Sequence, residues 1–90
     1  MSYKPILHLT VKREWFNKIE SGEKIIEFRE AKPYWKTRLL GMTFDKIIFK
    51  NGYSGDSPSI TKDWIKTEKL DTGIDTDLGI AQPVYAIHFK

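Results

Sequence analysis

The chain has 90 residues, 15 Lys and Arg against 12 Asp and Glu, a formal net charge of +3 and no cysteine. That length allows one domain with one core and excludes a full Rossmann sheet or an α/β barrel. A hydrophobic content of 40% with so modest a charge excludes a disordered chain, and the missing cysteines exclude disulfides and thiolate metal sites.

In chain order, Pro5 to Val11 is a short apolar, β-branched run and reads as a buried strand. From Lys12 to Ser21 the period changes: Trp15, Phe16 and Ile19 share one helical face, and Gly22 follows as a left-handed cap. Lys24 to Glu30 returns to period two, with Ile26 and Phe28 on one side and Ile25, Glu27 and Arg29 on the other. Pro33 suits the first position of a short helix through Leu40, ended by Gly41. Phe44 to Lys50 reads as a strand, and Asn51-Gly52 is a turn signal opening a segment rich in Gly, Ser, Asp and Pro. Ile60 to Lys69 carries helical spacing at Ile60 and Trp64, while Thr61, Ile65 and Thr67 favour a strand, which is the reading taken. Leu70 to Gln82 is loop, and Pro83 to Phe89 alternates as a closing strand.

The order is β-α-β-α-β-β-β. The expected fold is α+β, mainly β: one domain over residues 1–90, with a small curved sheet closing towards a five-stranded barrel and two short peripheral helices. Closure would remove exposed strand edges. No apolar run approaches the roughly 18 residues of a membrane span. Met1 to Pro5 lacks the apolar stretch of a signal peptide. His8 and His88 alone make no zinc site. The expectation is therefore a cytoplasmic protein with no membrane partner, no metal and no cofactor.

Charge is unevenly placed. Residues 1–40 hold nine Lys or Arg and five Asp or Glu, whereas residues 71–90 hold one and three. A basic first half suits nucleic acid or another anionic ligand, and equally an ordinary solvated surface. Within it, Glu27 and Arg29 stand two apart on one strand face, about 7 Å along the chain. Lys24 precedes them at the helix–strand junction. A carboxylate between two cations, one with a flat donor fork, can hold a phosphate or the edge of a base, or it can be a surface ion pair. Lys32, Tyr34, Trp35, Lys36 and Arg38 then interleave cations with aromatics, the pattern that stacks bases and meets phosphates. Trp35, Leu39 and Leu40 also read as a buried helix face, which makes Tyr34 the stacking candidate. Asn51 offers donor and acceptor groups beside two glycines, although Asn-Gly is equally a plain hairpin turn. Trp15 and Trp64 read as core.

Leu7-His-Leu-Thr10, Trp15-Phe16, Ile19, Gly22-Glu-Lys24, Glu27-Phe-Arg29, Pro33-Tyr-Trp35 and Phe49-Lys-Asn-Gly-Tyr53 together resemble the activating-signal-cointegrator homology (ASCH) domains of the PUA-like superfamily. The likeness covers about residues 5–55. It implies a β-barrel of five strands with peripheral helices, a basic cleft where the Arg29 strand meets Lys24, and RNA or a nucleotide as ligand. Some similar bacterial proteins are amidohydrolases acting on acylated cytidine, and others are linked to ribonuclease activity. The amidohydrolase motif looks like Gly-x-Lys-Thr-x-Thr-x-Arg, whose second threonine is the nucleophile. Gly22, Lys24 and Arg29 match it, Ile25 replaces the first threonine, and Glu27 stands at the nucleophile position.

The leading expectation is a small RNA- or nucleotide-binding domain. Lys24 and Arg29 would meet phosphate or a base carbonyl, and Glu27 would orient Arg29 or accept from a base amino group. Tyr34 and Tyr53 would stack, Asn51 would read a base edge, and Lys32 and Arg38 would track the backbone. One alternative is a hydrolase on RNA or a modified nucleoside, with Glu27 as general base and Lys24 stabilising an oxyanion. Another is a protein-interaction module built on Tyr34, Trp35 and Tyr53.

Overall fold

The structure, a computed structural model, describes residues 4–90. Met1 to Tyr3, part of the stretch read above as lacking an apolar leader, lie outside them. The elements run β1 (Ile6–Thr10), α1 (Arg13–Ser21), β2 (Ile26–Glu30), α2 (Pro33–Leu39), β3 (Lys46–Lys50), β4 (Ser59–Leu70) and β5 (Val84–Phe89). Types and order match the expectation, and the segment from Ile60 to Lys69, open between helix and strand, is strand.

Local chemistry accounts for the boundaries. Leu7 and Leu9 of β1, and Ile47 and Phe49 of β3, point inward with period two. α1 buries Phe16 and Ile19 and ends at Gly22, whose φ of +87° lets its N–H donate to Ile19 O. α2 starts with Pro33 at its first turn and buries Leu39. Leu40, assigned above to the same buried face, is exposed because the helix has already ended there.

The five strands form one mixed sheet in the order β1-β3-β4-β5-β2. β1 lies parallel to β3, and the other three pairings are antiparallel. β4 spans 12 residues and serves two neighbours. Its first half, to Asp63, pairs with β3, and its second half, from Trp64, pairs with β5. An irregularity between Trp64 and Lys66 bends the strand there. Trp64 Nε1 donates to Thr67 Oγ1 at 3.0 Å beside the bend. β1 and β2 do not pair, so the sheet is not closed, and the barrel expected from the strand count is not completed by backbone hydrogen bonds. Phe49, Ile19, Leu39, Ile47, Ile87 and Val84 are the largest fully buried side chains, and the Phe49 and Phe89 rings meet with centroids 4.8 Å apart. Among the described residues no helix is long and apolar enough to cross a membrane.

Exposed Lys46 and Asp63 are register partners across β3 and β4 and form an ion pair. Their hydrogen bond, reinforced by mutual charge, holds the Asp63 carboxyl below its ordinary range and the Lys46 ammonium above it. Such an exposed pair adds little to stability.

The segment between β4 and β5 is ordered. Gly73 bridges Ile80, and its N–H donates to Gln82 O at 3.0 Å. Thr76 Oγ1 donates to Gly73 O at 2.7 Å. A Cβ at Gly73 would lie 2.5 Å from Val84 Cγ1 and 3.3 Å from Ile80 O. Val84 is fully buried and stiff at χ1, so it yields poorly. Gly73→Ala should therefore lower stability by about 1–3 kcal/mol in urea denaturation; unchanged stability would mean the loop rests more loosely on β5 than the packing implies.

Candidate ligand-binding cleft

A cleft of about 660 Å³ opens between the C-terminal end of β1 and β2. Thr10, Val11 and Lys12 form one wall and Glu27 to Glu30 the other. Trp15 of α1, Asn51 to Tyr53 after β3, and Leu78 and Ile80 of the last loop complete it. The gap in the sheet and the cleft share the same two borders.

Lys24, Glu27 and Arg29 converge as the sequence suggested. Glu27 is the one charged side chain among the buried described residues, at 6% exposure. Its Oε1 lies 3.3 Å from Lys24 Nζ. Its Oε2 accepts from Arg29 Nε at 3.1 Å and Nη2 at 2.8 Å. Arg29 Nη2 also donates to Thr10 O at 2.9 Å, so the guanidinium reaches across the gap from β2 to β1. Its carbon stands 5.0 Å from the Trp35 ring centroid, an added cation–π contact. Nη1 has no partner among the described residues, and none of their side-chain nitrogens or oxygens is both buried and unpaired, so Nη1 keeps solvent contact.

Lys24 occupies a different place from the one foreseen. Its ammonium donates to Asp77 Oδ2 at 2.7 Å and sits 5.1 Å from the Trp15 ring centroid and 5.5 Å from that of Phe28. With two carboxylates around it and 8% side-chain exposure, it lines a smaller neighbouring hollow rather than the main cleft. The group Lys24, Glu27, Arg29 and Asp77 is formally neutral. Lys24 is thus held within the cluster, and Arg29 alone of the pair lines the cleft.

Asn51 and Tyr53 line the cleft, and Tyr53 is 91% exposed. Lys32, Tyr34 and Arg38 do not line it. Lys32 pairs with Glu30 at 3.4 Å on the surface. The Arg38 guanidinium lies 3.5 Å from the Tyr34 ring centroid, so one face of that ring is already covered. Tyr34 and Trp35 meet edge to face at 4.9 Å, and Trp35 packs partly buried against the core. Two residues of the cleft and one of the neighbouring hollow were not singled out. Trp15 had been read as core, but it is half-buried and lines both hollows. Lys12, at the N-cap of α1 directly after β1, is exposed, lines the cleft and makes no ion pair among the described residues. Asp77 could be found only through the fold, since its partner is 53 residues away. Among the described residues no cluster of His, Asp and Glu suits a metal ion.

Compared with protein-family models the chain matches none, and no curated protein matches it.

Removing Glu27 leaves two cations facing each other with their partner gone. Glu27→Ala should cost about 3 kcal/mol or more in urea denaturation, and Glu27→Gln, which keeps the volume and one acceptor, clearly less. Equal and small losses in both would mean the cluster is solvated rather than structural.

Proposed function

We propose that the protein is a nucleotide- or RNA-binding domain of the ASCH kind whose ligand lies in the cleft between β1 and β2. The observation that carries the reading is Arg29, locked by Glu27 and Thr10 O, with Nη1 left unpaired in a cleft that also holds the Trp15 and Tyr53 side chains. A guanidinium fixed on one edge and free on the other is a preorganised donor for a phosphate or a base carbonyl. Trp15 and Tyr53 supply surfaces on which a base can stack, and the unpaired Lys12 ammonium meets the backbone charge. Asn51 adds a side-chain amide at the rim. In this reading the open sheet is a PUA-like barrel whose missing seam is the ligand's entrance.

Glu27 acts as a positioning residue. Both its oxygens are engaged by Lys24 and Arg29, so the hydrolase alternative gains nothing from the arrangement. Tyr34 and Trp35 do not line the cleft that Tyr53 borders, so the cleft draws on only part of the surface of the interaction-module alternative.

The test is binding of single-stranded RNA as a function of salt. Affinity should fall linearly on a log–log scale through counterion release, and Lys12→Ala should lower the slope by about 1. Lys66→Ala, on β4 away from the cleft, should leave it unchanged. Salt-independent binding, or equal effects of the two substitutions, would remove the cleft as the site.

A further inference from the structure

Four consecutive residues of β2, Glu27 to Glu30, border the cleft. Side chains alternate between the two faces of a strand, so an unbroken run marks a hollow that faces the strand's edge, backbone included. The register fixes what that edge carries. Phe89 N–H donates to Ile25 O at 3.2 Å, and Ala31 N–H donates to Pro83 O at 2.9 Å. With Glu27 opposite Ile87 and Arg29 opposite Tyr85, these bonds turn the N–H and C=O of residues 25, 27, 29 and 31 towards β5. The N–H and C=O of Phe28 and Glu30 therefore point away from β5, to the side where β2 has no neighbouring strand. Glu30 O is taken by Lys32 N–H at 2.8 Å. Phe28 N–H, Phe28 C=O and Glu30 N–H have no partner among the described residues.

The facing wall is a strand edge too, with its carbonyl in the cleft occupied by Arg29. Val11 N–H donates to Lys50 O and Pro5 O accepts from Asp45 N–H, so the odd residues of β1 turn to β3. Thr10 C=O then faces the gap, where Arg29 takes it at 2.9 Å. An unpaired main-chain edge in a cleft is left for a ligand that brings its own donor and acceptor side by side.

We propose that the β2 edge reads the base of the bound nucleotide, an inference that rests on the nucleotide-binding reading above. Phe28 C=O accepts a hydrogen bond from an exocyclic amine or ring N–H, and Glu30 N–H donates to the adjoining ring nitrogen or carbonyl oxygen. Every nucleobase carries such a neighbouring donor and acceptor on its pairing edge. The ligand class is therefore an unpaired base in single-stranded RNA or a free nucleotide. A base in duplex already uses that edge and is refused. Because the contacts are main-chain, they tolerate any side chain at 28 and 30 but not the loss of an N–H.

Glu30→Pro removes that N–H, and it leaves the ladder intact because residue 30 donates nothing to β5; Glu30→Ala keeps the N–H and removes only the side chain. The probes are single-stranded octa-adenylate RNA and an abasic ribose-phosphate octamer of the same length, with circular dichroism to confirm folding. Glu30→Pro should bind octa-adenylate about tenfold more weakly than Glu30→Ala, the weight of one buried hydrogen bond, since both substitutions remove the same carboxylate from the cleft. The abasic octamer should bind wild type more weakly than octa-adenylate does, and should not distinguish Glu30→Ala from Glu30→Pro. Equal binding of the two octamers by wild type overturns the proposal even if Glu30→Pro fails to fold, and leaves the nucleotide-binding reading standing. Equal octa-adenylate binding by folded Glu30→Pro and Glu30→Ala overturns it likewise. Absence of octa-adenylate binding at low salt removes both.

Discussion

A carboxylate withdrawn from water at the edge of a sheet must be compensated, and the way Glu27 is compensated organises the whole cleft. Lys24 and Arg29 approach it from either side and together engage both oxygens. Once there, each cation has a second task. Arg29 extends to Thr10 O and joins the two strands that the sheet leaves unpaired. Lys24 draws Asp77, which brings the loop carrying Leu78 and Ile80 against the cleft. The burial of one side chain thus sets the width of the gap and the position of its cover.

The sheet's lack of closure also needs a physical account, since an exposed strand edge invites association. Here the two edges border one cleft, spanned by a guanidinium and overlaid by Trp15, by the residues after β3 and by the last loop. β2 is only five residues long and carries three charged side chains, which further discourages pairing with another chain.

The order and type of all seven elements were legible because their signals are local: period-two patterns in β1, β3 and β5, Gly22 after α1, Pro33 at the start of α2. The cluster of residues 24, 27 and 29 was legible for the same reason, as its members are three and two residues apart. What depended on distant partners was not. Nothing in the loop sequence pairs Asp77 with Lys24, and without that pairing Lys24 looks like a free phosphate ligand. Tyr34 looked like a platform because it lies off the apolar stripe, yet Arg38 one turn later covers its ring. Trp15 sits on the apolar stripe and still reaches the cleft, because α1 packs at the rim of the open sheet and only Phe16 and Ile19 are fully covered. Closure was not legible because counting strands says nothing about which pair.

The bend in β4 has a mechanical consequence. One ribbon of 12 residues carries β3 and β1 on its first half and β5 and β2 on its second. The irregularity between Trp64 and Lys66 is therefore where the two halves of the sheet are joined through a single strand. The spacing between Thr10 and Arg29 depends on how those halves meet, so the reach of the guanidinium across the gap is set on a strand that pairs with neither β1 nor β2.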